Sequence, residues 1–326
     1  MKLSILDQVP IALGQTAQDA LFETISLAKL GDELGYHRYW VAEHHDLNGL
    51  ACPAPEVMLG LIGAQTTNIR IGAGAILLPH YKPFKVAETF NLLATMYPNR
   101  VDLGLGRSPG GSAESSVALS GNFLENVRRM PELLDELLHF LNDDFETGHM
   151  FSTIKPSPVP DVLPVPWLLG TSEKSAVLAA EKGMNYAFGH FMSEVDAKPI
   201  LSKYKSILNE KYPKKTKEII MAVQVICAET SEQAEQIALK SFVWSRSRGE
   251  YSNSSDYMEG ILTKEQLDEF ENAKQKMIIG NPSEVKRILS ELQQLHQVDE
   301  FMILTNTPTY TERQKSYELL AEVIME

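Results

Sequence analysis

The chain has 326 residues, a net charge of −13, 44% apolar and 22% charged residues, which describes a globular protein with a large core. Its basic residues are scattered, with one cluster from Lys211 to Lys217 where Pro213 marks a solvated loop, so the charge argues against a nucleic-acid or anionic-membrane partner. The apolar runs fall short of a membrane span, and Cys52 and Cys227, far apart and in no CxxC pattern, argue against a structural zinc site and for a reducing compartment.

The opening residues MKLSILDQVP bring Asp7 and Gln8 into the place of a secretory h-region, which leads to the expectation of a cytoplasmic protein. Lys2–Leu6 predicts a strand, and Ala17–Gly35 a helix with Leu21, Ile25 and Ala28 at helical spacing and a glycine at its stop. The run from Arg38 to His45 is β-branched and aromatic, and predicts a second strand that ends in a carboxylate and two imidazoles. Side chains alternate across a strand, so Trp40, Ala42 and His44 share one face while Tyr39, Val41, Glu43 and His45 share the other. One histidine then enters a pocket, and the other packs or meets solvent.

A helix over Glu56–Gln65, a strand over Ile69–Leu78, a helix over Lys85–Tyr97 and a strand over Val101–Gly106 continue the pattern. After a loop of glycines and serines, Asn122–Leu141 reads as one helix. Residues 142–165, with Pro156, Pro158, Pro160 and Pro164, carry no helical period and predict an inserted hairpin or irregular excursion. Strands over Pro166–Gly170, Tyr186–Gly189 and Ile219–Ala228 alternate with helices over Ser175–Lys182, Val195–Leu208 and Ser231–Trp244. Residues 246–276 turn to serine, asparagine and charge, and predict a mobile lid with a short helix. Ser283–Leu295, Glu300–Leu304 and Tyr310–Ile324 close the chain as helix, eighth strand and helix.

Eight strand–helix units in strict alternation predict the α/β class and a TIM (β/α)8 barrel, one domain over residues 1–326, with insertions after strands 4 and 7. A doubly wound sheet is the alternative, weakened because no GxGxxG follows the first strand. In a barrel, chemistry belongs at the carboxyl ends of the strands. There stand His44, the small residues Ala73, Gly74 and Ala75, the cation Arg107, the hydroxyls of Thr171, Ser172 and Ser175 at a helix start, and His190 with Phe191 on an aromatic rim. Small residues admit a flat ligand or pack tightly, an arginine fork matches phosphate oxygens, and hydroxyls at a helix start bind an anion or simply cap the helix.

Taken in order, Glu43-His44-His45, the run Gly74 to Pro79, Gly104 to Arg107, and Thr171, Ser172 and Ser175 resemble the bacterial luciferase-like flavin monooxygenase family over nearly the whole chain. The resemblance implies reduced FMN at the strand ends, addition of O2 to give a C4a-peroxyflavin, and oxygenation of a small organic substrate. By position it implies His44 as the catalytic histidine, a nonproline cis peptide between Gly74 and Ala75 beneath the flavin, and phosphate contacts from Arg107, Ser172 and Ser175. Since no second nucleotide-binding fold is visible in the sequence, the expected partner is a separate flavin reductase, and a homodimer is expected. Gly106 stands where the luminescent subunit has a reactive cysteine, and Thr171-Ser172 where it has a carboxylate and serine, so neither luminescence nor an aldehyde substrate is expected.

Three rival readings remain at this level: an oxidoreductase using coenzyme F420 for hydride transfer, a flavin-binding protein without turnover, and a metal-dependent hydrolase built on Glu43, His44 and His45. Strand alternation opposes the last, since adjacent histidines cannot face one metal without a bulge.

Overall fold

The computed structural model describes residues 1–214, 217–246 and 263–325. Nine parallel strands lie in the order β6-β5-β4-β3-β2-β1-β9-β7-β8, with a further pairing of β6 to β7. They are β1 Lys2–Asp7, β2 Arg38–Val41, β3 Arg70–Leu77, β4 Val101–Gly106, β5 Val165–Gly170, β6 Asn185–Gly189, β7 Ile219–Cys227, β8 Met277–Gly280 and β9 Glu300–Leu304. The β1–β9 and β6–β7 ladders close eight of them into a TIM barrel. The ninth, β8, is an addition. β7 is long enough to pair with β9 through Ile220–Gln224 and then with β8 through Gln224–Cys227, so β8 flanks the mouth and leaves the ring intact.

Period-2 burial sorts the side chains into two cores. Leu6, Trp40, Ala42, Trp167, Ala187 and Met302 fill the barrel interior, whereas Leu3, Ile5, Tyr39, Val41, Phe301 and Ile303 face the surrounding helices. Trp40 and Trp167 meet edge to face with centroids 5.5 Å apart, a geometry worth about 0.5–1.5 kcal/mol beyond the area it buries. Beneath them the amino-terminal end of the barrel is closed by charge. Arg38 donates from Nη1 to Asp102 Oδ2 at 2.9 Å and from Nε to Glu300 at 3.1 Å, and its guanidinium lies 4.7 Å from the Trp167 ring centroid. Burial disfavours the guanidinium charge, but its carboxylate partners outweigh this and raise the pKa of Arg38.

The helices α1 Ala17–Glu33, α2 Pro55–Gln65, α3 Pro83–Met96, α4 Ala113–Ser120, α5 Phe123–Arg128, α6 Met130–Asn142, α7 Glu173–Glu181, α8 Ala197–Lys211, α9 Ser231–Arg246, α10 Lys264–Lys274, α11 Pro282–His296 and α12 Tyr310–Ile324 surround the strands. Among the described residues, none is long and apolar enough to cross a membrane.

Three departures from the sequence reading have local causes. The helix expected over Asn122–Leu141 is two, α5 and α6, because Pro131 has no N–H to donate and is tolerated only in the first turn of a new helix. The glycine- and serine-rich loop holds α4, started by Ser112, whose Oγ accepts from Ser115 N, and stopped at Gly121 with φ +68°. Of the lid expected over residues 246–276, the part from 247 to 262 lies outside the described residues, while Lys264–Lys274 is the helix α10, which packs with Phe270 buried in a small cluster beside Ile226 and Ala238.

Candidate active site

Above the Trp40–Trp167 floor the strand ends enclose a cavity of about 670 Å³. Its apolar lining includes Leu6, Trp40, Ala42, Leu169, Ala222 and Met302, and its wall over β3 and β4 is made of Gly74, Ala75 and Gly106. The Gly74–Ala75 peptide bond is cis. A Cβ added to Gly106 would stand 3.1 Å from the Ala75 Cβ, so that wall is close-packed without any larger side chain.

On one side the lining is polar. Arg107 follows β4, and its Nη2 lies 3.4 Å from the Ser172 Oγ at the start of α7. Ser175, in the first turn of that helix, donates from Oγ to the Ser172 carbonyl at 2.7 Å and lies 3.0 Å from the Tyr186 hydroxyl. Thr171 and Ser175 both line the cavity. A cation, three hydroxyls and the amino end of a helix therefore meet at one place, a donor set suited to a phosphate monoester. Burial raises the Tyr186 pKa to about 12, which keeps that phenol a neutral hydrogen-bonding group.

On the β2 side, His44 lines the cavity and His45 does not. The alternation read along Trp40, Ala42 and His44 continues past the strand end. His45 is held from behind: its Nε2 lies 2.7 Å from Glu43 Oε1, and its backbone N–H donates to the Gly110 carbonyl at 2.8 Å. The Glu43 carboxylate also accepts from the Leu77 N–H at 3.0 Å and from the Tyr81 hydroxyl at 2.8 Å. One buried carboxylate thus ties the loop carrying His44 to the end of the strand carrying Gly74 and Ala75. Burial pushes the Glu43 carboxyl upward in pKa, ahead of the lowering by His45, Leu77 and Tyr81.

Two residues expected at the site lie elsewhere. The Ala73 side chain packs in the outer core, because β3 alternates and places Gly72 and Gly74 inward. His190 follows Phe188 onto the outer face of β6; its ring lies 6.2 Å from that of His296 on α11, and burial lowers its pKa. Phe191 lines the cavity as expected, with Met192 beside it. Nothing in the sequence singles out Tyr81. Glu43 carries a signal, since alternation puts it on the same side as His45.

Glu43, His44 and His45 do not converge on one point, and among the described residues no three histidine, cysteine, aspartate or glutamate side chains are grouped to hold a metal ion.

The chain matches the model of a family described as luciferase-like monooxygenase over residues 1–297. It is 36% identical over 331 residues to the N-acetyl-S-alkylcysteine monooxygenase of Bacillus subtilis (strain 168), an alignment covering 100% of this chain and 98% of that one. Among solved structures it resembles apo-MsnO8, with a TM-score of 0.86, 30% identity and coverage of 99% and 98% of the two chains. The FMN complex of the oxygenating constituent of 3,6-diketocamphane monooxygenase from the CAM plasmid of Pseudomonas putida shares the fold, with a TM-score of 0.73, 19% identity and coverage of 99% and 97%.

Proposed function

The chain belongs to the luciferase-like monooxygenase family, and from that premise we propose that it is the oxygenating component of a two-component system, using reduced FMN delivered by a separate flavin reductase and O2 to oxygenate a small organic substrate. The observation that carries this reading is the meeting of an arginine, the hydroxyls of Thr171 and Ser175 and a close-packed apolar wall in one cavity of about 670 Å³, with the Ser172 hydroxyl beside the arginine. That lining fits FMN at both ends: Arg107, Thr171, Ser172 and Ser175 suit its phosphate, and Gly74 and Ala75 admit its flat ring system. Reduced flavin, when bound, activates O2 so that one oxygen atom enters the substrate and the other leaves as water.

In this reading the chain's own residues orient, shield and move protons. His44 faces the cavity and serves as the general base or hydrogen-bond partner. Glu43 and His45 hold the segment on which His44 stands. Leu6, Trp40 and Met302 keep water from the floor. A homodimer in the cytoplasm belongs to the same reading, and Val57 and Leu61 on α2, with Leu92 and Met96 on α3, are exposed apolar side chains that a second copy would cover.

Anaerobic titration with reduced FMN, reduced riboflavin and reduced F420 tests the cofactor. Binding of reduced FMN at least tenfold tighter than the other two is expected. Tight F420 with no FMN would replace oxygenation by hydride transfer, and FMN binding without O2-dependent turnover on any substrate would leave a flavin carrier.

A further inference from the structure

A second cavity of about 680 Å³ adjoins the first, and Gln8 and Phe191 line both. Its character is different. Gln224, Asn306, Ser241, Asn272 and Gln275 give it amides and a hydroxyl where the first has small apolar residues. Its charges cancel among the described residues, because Lys276 and Glu194 pair with each other in the wall.

Gln8 follows β1 and Asn306 follows β9, neighbouring strands of the barrel, so their side chains meet at the passage between the two cavities. Asn306 donates from Nδ2 to Gln8 Oε1 at 2.7 Å. Asn306 is only 8% exposed, and its buried Oδ1 accepts no hydrogen bond. Exchanging nitrogen and oxygen in both amides leaves the same inventory: one pair satisfied, and one end of Asn306 still without a partner. A buried amide end without a partner is a standing cost that a ligand group of opposite polarity removes.

We propose that this second cavity is the substrate subsite and that it selects an uncharged carboxamide: the oxidisable end of the substrate enters the flavin cavity past Phe191, and its amide pairs with Asn306 and Gln8. A secondary amide carries one N–H and one C=O on opposite edges of its trans plane, so the N–H suits the free acceptor of Asn306 and the C=O is left to the NH2 of Gln8. A carboxylate finds no unpaired cation in the described lining. The assignment rests on the first cavity being the flavin site, and the test separates the two.

The test uses two probes of equal length that differ only in N–H against O, N-(2-methylthioethyl)acetamide and 2-(methylthio)ethyl acetate, titrated calorimetrically into the FMN-loaded protein. The amide should bind at least tenfold tighter than the ester. Asn306→Leu should weaken the amide about tenfold, change the ester less than twofold and leave the FMN dissociation constant within twofold. Gln8→Met, which removes the partner of a C=O common to both probes, should weaken amide and ester alike, which keeps the test decisive if the Asn306 variant does not fold. Equal binding of the two probes, binding of neither, a preference that survives Asn306→Leu, or binding of both probes unchanged by Gln8→Met overturns the subsite. Failure of FMN itself to bind overturns the flavin reading instead, and that titration is read separately.

Discussion

Glu43 Oε1 and His45 Nε2 lie 2.7 Å apart on the run that leaves β2, and His44 between them faces the cavity. The Glu43 side chain is fully buried; Tyr81 OH donates to the same Oε1 and Leu77 N–H to Oε2. Desolvation therefore wins over its hydrogen bonds, and the Glu43 carboxyl stays above the ordinary carboxylate range.

That shift has a sign that Glu43→Gln reads. A carboxyl whose pKa is raised on folding binds its proton more tightly in the native state, so the stability it contributes is full below the unfolded pKa and lost as pH rises through the folded one. Glutamine cannot titrate, and its NH2 faces at least one donor, at a cost of about 1–3 kcal/mol. The variant should be less stable than the parent in acid, and the gap should narrow as pH rises through the raised carboxyl pKa. Urea midpoints at mildly acidic, neutral and mildly alkaline pH check this; a gap that widens with pH would mean that the ionised, hydrogen-bonded carboxylate is the favoured form.

His44→Ala addresses the neighbouring side chain. With the imidazole gone but the phosphate end intact, FMN affinity should change less than threefold, while oxygenation should fall by the ~100- to 10,000-fold typical of a lost proton-transfer group. Single-turnover measurements with reduced FMN and O2 separate the two. An equal fall in affinity and turnover would make His44 a binding residue.

The barrel was legible because each strand end carries its own punctuation, and because Trp40, Ala42 and His44 alternate visibly against Tyr39 and Val41. The same alternation places Ala73 and His190 outside the cavity; both were drawn in by residue type and by position along the chain, and periodicity overrules both. β8 was not legible. Met277–Gly280 is a four-residue apolar run, too short for a period, and it is a strand only because the far end of β7 offers it a ladder. Nor was the Glu43–Tyr81 bond, since a contact spanning 38 residues leaves no mark in either segment.

Arg107→Ala should separate FMN from riboflavin. The guanidinium is exposed and touches the Ser172 hydroxyl, so its contribution to a phosphate lies at the lower end of charge-assisted bonds, about 1.5 kcal/mol or tenfold in affinity. Riboflavin, which lacks the phosphate, should bind the variant and the parent alike. Fluorescence-quench titrations with both flavins check it, and raising the salt concentration should shrink the FMN difference. A parallel loss for riboflavin would place Arg107 against the ring system.

Gly104 on β4 gives the sharpest steric prediction. A Cβ there would stand 2.1 Å from the Ala73 carbonyl oxygen, which belongs to the backbone of the neighbouring strand and cannot swing aside as a side-chain end could. Gly104→Ala must displace β3, at the upper end of the 1–3 kcal/mol usual for overpacking or above it, and the displacement passes directly to Gly74 and Ala75 in the cavity wall. The variant should lose several degrees in Tm and weaken FMN and riboflavin equally. Gly60, in the middle of α2, is the contrast: a Cβ there meets nothing within 4 Å, so Gly60→Ala should stabilise by about 0.5–1 kcal/mol through helix propensity alone. Calorimetric unfolding of both variants decides it, and a Gly104→Ala protein as stable as the parent would show that β3 and β4 yield to each other more freely than a closed ladder allows.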